Sequence, residues 1–149
     1  MLSVIIDARA EAERLPILLA QLTAGAVDGL VRQVLIVAAD GQAGIDALCE
    51  DMGAEAHATI AAAARAARAE RVLILAPDFR FRDGWIAALD AHVAGDGDRA
   101  VVVGLKPEGL FARPPEGVLV ERGFLEQLAD GVDLPRVRRL LRLRGRRIG

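Results

Sequence analysis

The sequence predicts an α/β fold in which a mostly parallel β-sheet lies between two layers of helices. Short runs of consecutive aliphatic residues recur along the chain without polar partners, which is typical of strands buried on both faces. Helical patterns separate these runs, and strands that alternate with helices form mostly parallel sheets. With 149 residues, of which 53% are hydrophobic, the chain is long enough for one domain with a substantial core.

The first part of the chain is predicted to alternate between strands and helices. Leucines at helical spacing predict a helix after the first strand, with Glu11 and Glu13 near its start, where the helix dipole favours acidic side chains. Asp40-Gly41 marks a turn after the second strand, and Gly53 is placed to end the second helix. The predicted elements are a strand over 2–6, a helix over 10–22, a strand over 34–37, a helix over 44–52 and a short strand over 54–57.

An alanine-rich segment opens the next part of the chain, and alanine has the highest helix propensity. Asp83 is predicted to cap the helix that holds Trp85, because an Asp side chain accepts hydrogen bonds from first-turn amides. A stretch rich in proline and glycine then separates the last two predicted strands. These elements are a helix over 59–70, a strand over 72–75, a helix from Trp85 to about Gly95, strands over 100–105 and 118–120, and a helix over 124–128.

The strand over 72–75 directs attention to Asp78. Its four aliphatic residues are typical of a central strand, and ligands of such sheets bind beyond the carboxyl ends of the strands. Pro77 cannot donate to a strand ladder, so the strand should end there and place Asp78 on the following loop. A lone carboxylate in that place could hold a metal ion or a ligand hydroxyl, or it could simply cap the turn.

Charge and cysteine content restrict the class of protein. The net charge of −2 gives no general attraction for nucleic acid, and the single Cys49 excludes an internal disulfide, as in a reducing compartment. The sequence has no signal peptide and no apolar run near the length of a membrane span. We therefore expect a cytoplasmic protein, at most peripheral to a membrane, with an α/β domain over 1–133 and a basic helix or tail over 134–149.

The tail leaves two interpretations open. Leu134, Val137, Leu140 and Leu141 share one helical face, so the helix could pack on the domain while its arginines are solvated. A basic amphipathic helix also suits an anionic membrane surface, and RNA is a lesser alternative because the tail has no aromatic residue for stacking. The basic residues that would meet such a surface are Arg136, Arg138, Arg139 and Arg142.

Several segments, taken in order, resemble the motifs of the inverting family 2 glycosyltransferases, which use nucleotide sugars and have the GT-A fold. Residues 3–11 stand where that family has a strand followed by Pro-Ala-Tyr-Asn-Glu, and Leu15-Pro16-Ile17-Leu18-Leu19 matches the start of its first helix. Ala39-Asp40-Gly41-Gln42 stands in place of Asp-Asp-Gly-Ser. The third landmark of the family is an alanine-rich helix, a buried strand, Asp-x-Asp and an aromatic-led helix. The corresponding segments here are, in the same order, residues 61–69, residues 72–75, Ala76-Pro77-Asp78 and Gly84-Trp85.

The resemblance implies a three-layer, Rossmann-like GT-A sandwich with a cleft for a nucleotide or nucleotide sugar. The residues that it places at this cleft are Ala8, Arg9, Glu11, Asp40 and Asp78. In the family the Asp-x-Asp pair holds a divalent ion, so the resemblance implies that Asp78 is a ligand of Mg²⁺ or Mn²⁺.

The sequence departs from the family at three functional positions. Ala39, or Ala38 if the alignment has a gap, stands at the base-reading Asp, and Ala76 replaces one metal ligand. Arginines follow Leu134-Pro135 where the family has its acidic proton acceptor. We therefore expect a degenerate catalytic site with no general base assigned by motif. The candidates for a general base that lie in the appropriate half of the chain are Glu108, Glu116 and Asp133.

Three functional hypotheses follow. The first is a glycosyltransferase-like protein with a nucleotide-sugar cleft, and the second is a non-catalytic scaffold that uses its arginine-rich tail at a membrane or partner. The third is an active transferase in which Asp78 alone holds the metal while Arg80 and Arg82 neutralise a diphosphate. An exposed apolar edge after Val103 would favour a homodimer.

Overall fold

The computed structural model describes residues 1–95, 97–142 and 147–149, which form a seven-stranded mixed sheet with helices on both faces. This confirms the predicted fold class. The strands are β1 (Leu2–Asp7), β2 (Val31–Val37), β3 (Glu55–His57), β4 (Arg71–Leu75), β5 (Ala100–Val103), β6 (Glu116–Glu121) and β7 (Arg147–Ile148). The helices are α1 (Leu15–Val27), α2 (Ile45–Met52), α3 (Ile60–Ala66), α4 (Trp85–Ala94), α5 (Arg122–Glu126) and α6 (Leu134–Leu141).

The strand order is β3-β2-β1-β4-β6-β5-β7, and β6 alone among these seven strands runs antiparallel to its neighbours. From β1 the chain moves to β2 and β3 on one side, and it then returns to β4 on the other side of β1. In the shared register, Ile5 of β1 lies between Leu35 of β2 and Ile74 of β4. The connections therefore diverge between the carboxyl ends of β1 and β4, which is where open α/β sheets bind ligands.

Each face of the sheet carries its own apolar core. Along β1, Leu2, Val4 and Ile6 pack under α1, α2 and α4, whereas Ile5 points to the opposite face, where α3, α5 and α6 lie. Side chains of successive strand residues alternate between the two faces, so a strand covered on both sides must be apolar throughout. This explains the unbroken aliphatic runs of the sequence.

Helix α1 begins at Leu15, not at Ala10 as predicted. Pro16 lies in the first turn, where its missing N–H leaves no hydrogen bond unmade, and a proline further inside the helix would break it. The preceding residues form a 3₁₀ turn over Ala12–Arg14, and Glu11 has the left-handed backbone conformation with φ of 57°. The acidic residues before Leu15 therefore lie on a loop at the edge of the sheet.

Helix α3 ends at Ala66, four residues before the predicted end. Two buried polar side chains bind the backbone that leaves the helix: Gln33 donates to the Ala66 carbonyl at 3.2 Å and accepts from the Arg68 amide at 3.0 Å. The Ser3 hydroxyl accepts from the Ala69 amide at 3.2 Å. Because these bonds compensate for the lost helical ones, the chain can turn early into β4.

The predicted cap of α4 is also wrong. The capping position is held by Gly84, with φ of 78° and no side-chain hydrogen bond, so Asp83 lies one residue too early to cap the helix. Trp85 follows and stacks on Phe81, with ring centroids 3.9 Å apart. Strand β7 was not predicted, because only two residues pair with β5 and no aliphatic run marks them.

The carboxyl-terminal helix α6 packs on the domain. Leu134 and Val137 are buried in the core on the α3 and α5 face, and Leu141 packs against it, whereas Leu140 is 53% exposed. The boundary predicted at residue 134 stays a prediction, and Arg144 and Arg146 lie outside the described residues. None of the described helices is long and apolar enough to cross a membrane.

Candidate functional site

A cleft of about 370 Å³ opens between the carboxyl ends of β1 and β4. One wall comes from the loops after these two strands, and the other comes from the start of β6 and the first turn of α6. We call this hollow the central cleft. Its ionisable lining residues are Asp7, Glu11, Asp78, Glu116, Asp133 and Arg138.

Asp78 is positioned by the turn that ends β4. The Phe79 amide donates to the Ala76 carbonyl at 3.0 Å, and the Phe79 ring is 1% exposed and packs edge-on against Phe81. These contacts fix the backbone on both sides of Asp78 and leave its side chain on the cleft surface. Within the described residues its carboxylate accepts no hydrogen bond and forms no ion pair, so it does not cap the turn there.

Asp7 and Arg9 form a two-pronged ion pair at the end of β1. Nε and Nη2 of Arg9 lie 2.8 and 2.9 Å from the two carboxylate oxygens of Asp7, and this hydrogen bonding raises the pKa of Arg9. The same guanidinium donates to the carbonyls of Val132 at 2.8 Å and Asp130 at 3.3 Å. Arg9 therefore joins the β1 loop to the segment before α6, and its side chain is not part of the cleft lining.

Glu11 and Ala8 differ in accessibility. Glu11 is exposed and lines the central cleft, and its carboxylate accepts no hydrogen bond and forms no ion pair within the described residues. Ala8 is fully buried; its amide donates to the Val37 carbonyl at 2.8 Å, and its carbonyl accepts from the Gln42 side chain at 2.9 Å. The amide and the carbonyl of Ala8 therefore already have partners within the protein.

The opposite wall contributes two carboxylates that already have partners. Glu116, at the start of β6, pairs with Arg138 of α6 and Arg147 of β7. Asp133 caps α6, because its Oδ1 accepts from the Arg136 amide at 3.0 Å. Of the three acidic residues singled out in the right half of the chain, these two line the cleft, and Glu108 does not. Asp133 directly precedes Leu134-Pro135, and an Asp before a helix with proline in its first turn is a typical N-cap.

Asp40 lies in a second, smaller hollow. This hollow of about 260 Å³ is at the carboxyl ends of β2 and β3, and its polar lining includes Asp40, Gln42, Asp46 and His57. The Gln42 side chain accepts from the Ala39 amide and donates to the Ala8 carbonyl, so it lies between this hollow and the β1 loop. The structure therefore brings Glu11 and Asp78 together and places Asp40 apart from them.

The cleft carboxylates do not form a complete metal site. Among the described residues, no group of three or more His, Cys, Asp or Glu side chains is arranged to hold a metal ion. Mg²⁺, however, is usually bound through one or two carboxylates together with substrate phosphates and water. Asp78, with its unengaged carboxylate, fits such a site only if the ligand's own phosphates complete it.

No protein-family model and no curated protein matches the sequence. Among solved structures, mannosyl-3-phosphoglycerate synthase from Rubrobacter xylanophilus aligns at a TM-score of 0.54 and 21% identity, over 68% of this chain and 39% of that one. Glucosyl-3-phosphoglycerate synthase from Mycobacterium tuberculosis, in complex with Mn²⁺, UDP and glucosyl-3-phosphoglycerate, aligns at 0.53 and 15% identity, over 68% and 42%. A nucleotidyl transferase from Methanothermobacter thermautotroptrophicus aligns at 0.56 and 16% identity, over 100% and 86%.

The chain thus spans about two fifths of the length of these two sugar-transferring synthases and most of the length of the nucleotidyl transferase. At such identities the likeness concerns the fold alone. It does not single out family 2 glycosyltransferases, since nucleotidyl transferases match equally well. The chain has the Rossmann-like, GT-A-type fold shared by glycosyl and nucleotidyl transferases.

Proposed function

We propose that this protein is a glycosyltransferase-like protein that binds a nucleoside diphosphate or nucleotide sugar in the central cleft, together with a divalent cation. The observation that carries the proposal is the unengaged carboxylate of Asp78 at the point where the sheet connections diverge. The M. tuberculosis neighbour, which shares this fold, is a complex with UDP and Mn²⁺.

In this proposal the first wall of the cleft binds the cation and diphosphate. Asp78 supplies a hard oxygen ligand, and Glu11 lies on the same wall to bind a water of the cation. Ala76 cannot supply a second carboxylate, so the phosphates must complete the coordination. The cation, when bound, neutralises the diphosphate charge and so stabilises it as a leaving group.

The nucleoside would extend from this wall toward the hollow that contains Asp40. Gln42 lies between the two hollows, and its side chain is held by hydrogen bonds to backbone groups. The nucleoside would therefore have to pass beside Gln42 to reach Asp40. Asp40 is exposed there and could accept from a base or ribose group. Ala8 is fully buried and both its backbone groups are hydrogen-bonded, so it would contribute only by holding the β1 loop in position.

Sugar transfer would also require a carboxylate to take the acceptor proton. Asp133 suits this role better than Glu116. Its Oδ2 accepts no hydrogen bond within the described residues, whereas both oxygens of Glu116 are bound by arginines. Sugar transfer requires that the nucleotide sugar bind first, so binding is measured before transfer.

The test is calorimetric titration with uridine and guanosine diphosphates and their sugars, with and without Mn²⁺. We expect binding that depends on Mn²⁺ and becomes about 100-fold weaker in Asp78→Asn, in line with the loss of a charged ligand interaction. Asp83→Asn is the matched control, because it changes the same charge on an exposed residue outside both hollows. Absence of heat at millimolar nucleotide, or equal loss in both variants, would overturn the proposal.

A second candidate function is that of a scaffold at an anionic membrane surface. Leu140 is 53% exposed between Arg136, Arg139 and Arg142, and these four residues line a shallow groove on α6. Because Leu134 and Val137 are buried in the domain, the membrane would be met by the arginines and Leu140 alone. Sedimentation with anionic vesicles tests this: Arg136→Gln/Arg142→Gln should lower binding, and Arg32→Gln should not.

The loop between β5 and β6 carries exposed apolar side chains that could form the contact of the predicted homodimer. Leu105, Leu110 and Phe111 are 55%, 87% and 92% exposed, and all three follow Val103. Large exposed apolar side chains within one short loop favour association with a second copy. Sedimentation velocity should show a dimer that Leu110→Ser/Phe111→Ser dissociates; a monomer at all concentrations would contradict it.

A further inference from the structure

Four arginines surround one carboxylate beside the central cleft. Arg113 comes from the loop between β5 and β6, Arg138 and Arg139 come from α6, and Arg147 comes from β7. They line two adjoining hollows of about 470 and 400 Å³, and both hollows share Glu116, Arg138 and Arg147. We call this region the arginine pocket.

The charges of the arginine pocket are unbalanced. Among the described residues, Glu116 is the one acidic residue that lines either hollow, and its side chain is only 15% exposed where it pairs with Arg138 and Arg147. Those two arginine side chains are 42% and 56% exposed, so each can still reach a ligand from the solvent side. Four guanidinium groups against one carboxylate leave an excess of positive charge.

The pocket is also held in shape before any ligand binds. Glu116 fixes two of the arginines by ion pairs, and the remaining lining includes Pro114, Pro115 and Pro135, whose rings restrict the backbone. A guanidinium group binds phosphate through two parallel N–H bonds, which lysine cannot do. Arginines fixed in advance lose less side-chain entropy when an anion binds.

We infer that the arginine pocket binds the phosphate group of a small phosphorylated molecule. Glu116, Pro135 and Arg138 line both this pocket and the central cleft, so a bound molecule could extend from one into the other. Phosphate binding here needs no metal ion, because arginines supply the positive charge. It is therefore separate from cation-dependent nucleotide binding at Asp78.

The test is titration of the metal-free protein with inorganic phosphate and with glycerol phosphate. The variant is Arg139→Gln/Arg147→Gln, since these two arginines do not line the central cleft. We expect roughly a tenfold loss of affinity for each arginine removed, as for other hydrogen bonds to charged groups. The matched control is Arg14→Gln/Arg32→Gln, which removes the same charge from exposed side chains that lie outside the arginine pocket and the central cleft.

A phospholipid headgroup presents the same chemistry, so a second arm uses phosphatidylcholine vesicles with and without phosphatidic acid. Binding of free phosphate through these arginines supports a soluble ligand, and binding of the vesicles alone through the same arginines supports a headgroup. No binding in either arm, or equal weakening in both double variants, would overturn the site.

Failure of this inference is distinguishable from failure of the proposed function. Asp78→Asn should lose Mn²⁺-dependent nucleotide binding and keep metal-free phosphate binding. Arg139→Gln/Arg147→Gln should show the reverse pattern. If Asp78→Asn abolished both, the phosphate would be binding in the central cleft and the arginine pocket would not be a site of its own.

Discussion

The two walls of the central cleft use carboxylates in opposite ways. On the wall formed by the loops after β1 and β4, the carboxylates of Glu11 and Asp78 make no hydrogen bond or ion pair within the described residues. On the wall formed by β6 and α6, Glu116 is held by two arginines and Asp133 caps a helix. The first wall therefore has charge available for a ligand, whereas the charge of the second wall stabilises the protein itself.

This difference indicates how the cleft would recognise a ligand. Unengaged carboxylates favour a cation on the first wall, and the arginines behind the second wall favour an anion. Asp7 is the exception on the first wall, since Arg9 neutralises it and also binds the segment before α6. Substitutions on each wall measure how far stability and ligand binding are separated between the two walls.

The largest expected effect is on stability, from Phe79→Ala. Phe79 is 1% exposed and follows Asp78 of the first wall. Its ring lies so close to Gly104, the residue after β5, that a Cβ added to this glycine would be 3.0 Å from the ring. Phe79 therefore packs between the first wall and the end of β5. Removing a buried phenyl ring typically costs about 3 to 5 kcal/mol in free energy of unfolding. Denaturant unfolding measures it.

Val27→Ala is the control, because it removes apolar atoms from a side chain that is 82% exposed and lies outside both walls and outside the loop proposed for the dimer. Its effect should stay within about 0.5 kcal/mol, as for most surface substitutions. Equal losses in the two variants would show that Phe79 does not support the walls as described.

The next largest effect is expected from Arg9→Gln, which removes the link between the two walls. The variant loses charged hydrogen bonds to Asp7 and Val132 and leaves a carboxylate that is only 10% exposed without its partner. We expect the free energy of unfolding to fall by about 2 to 3 kcal/mol, as when a hydrogen bond to a charged group is lost or one partner of a buried ion pair is removed. Denaturant unfolding again measures the change.

Arg99→Gln provides the comparison for Arg9→Gln. Arg99 pairs with Glu121 through a side chain that is 41% exposed, and exposed ion pairs contribute less than about 1 kcal/mol. A loss from Arg9→Gln no larger than that from Arg99→Gln would contradict the role of Arg9 as a link.

The sequence predicted the first wall better than the second. Aliphatic runs mark β1, β2 and β4 directly, and a proline after β4 marks where the chain must leave the sheet, so Asp78 could be placed on the cleft from local patterns alone. The resemblance to known motifs lies mostly in these same residues. Asp40, in contrast, lies in a separate hollow, since the position of a loop side chain depends on tertiary contacts such as those of Gln42.

The second wall depends on contacts between residues far apart in sequence. Glu116 meets Arg138 and Arg147 because an antiparallel strand, a helix and a two-residue strand converge, and no local pattern fixes that arrangement. The resemblance places Arg9 at the nucleotide cleft, and the structure shows its guanidinium bound to Asp7 and to two backbone carbonyls. Ion pairs of this kind are decided by the three-dimensional fold.

A smaller effect on stability is expected from Asp133 of the second wall, where two substitutions separate the loss of the helix cap from the loss of the charge. Asp133→Ala should destabilise the protein by about 1 kcal/mol through the loss of the α6 cap, and Asp133→Asn by only a few tenths, since Asn also caps well. Thr59→Ala provides the counterpart in the other half, because the Thr59 hydroxyl accepts from the Ala62 amide at 3.0 Å to cap α3. Thermal unfolding compares the three variants. An equal loss from Asn and Ala at position 133 would show that its charge, and not its cap, stabilises the wall.

The smallest effect is a pH dependence from Glu121, at the far end of β6 from Glu116. The hydrogen bonds from Arg99, with Nε at 2.9 Å from both carboxylate oxygens, lower the pKa of Glu121 in the folded protein. A lowered pKa adds stability above the unfolded value of about 4.5, and this stability is lost as pH falls through the folded value. Because the side chain is 39% exposed, solvent screening limits the gain to less than about 1 kcal/mol.

Denaturant unfolding of the wild type and Glu121→Gln, at neutral pH and in steps below pH 4.5, measures this contribution. The difference between them should be largest at neutral pH and disappear in acid. Asp78→Asn should show no such loss at neutral pH, because the Asp78 carboxylate makes no hydrogen bond or ion pair within the described residues. If Asp78→Asn lost as much stability as Glu121→Gln, the carboxylates of the first wall would also be structural, and the contrast between the two walls would not hold.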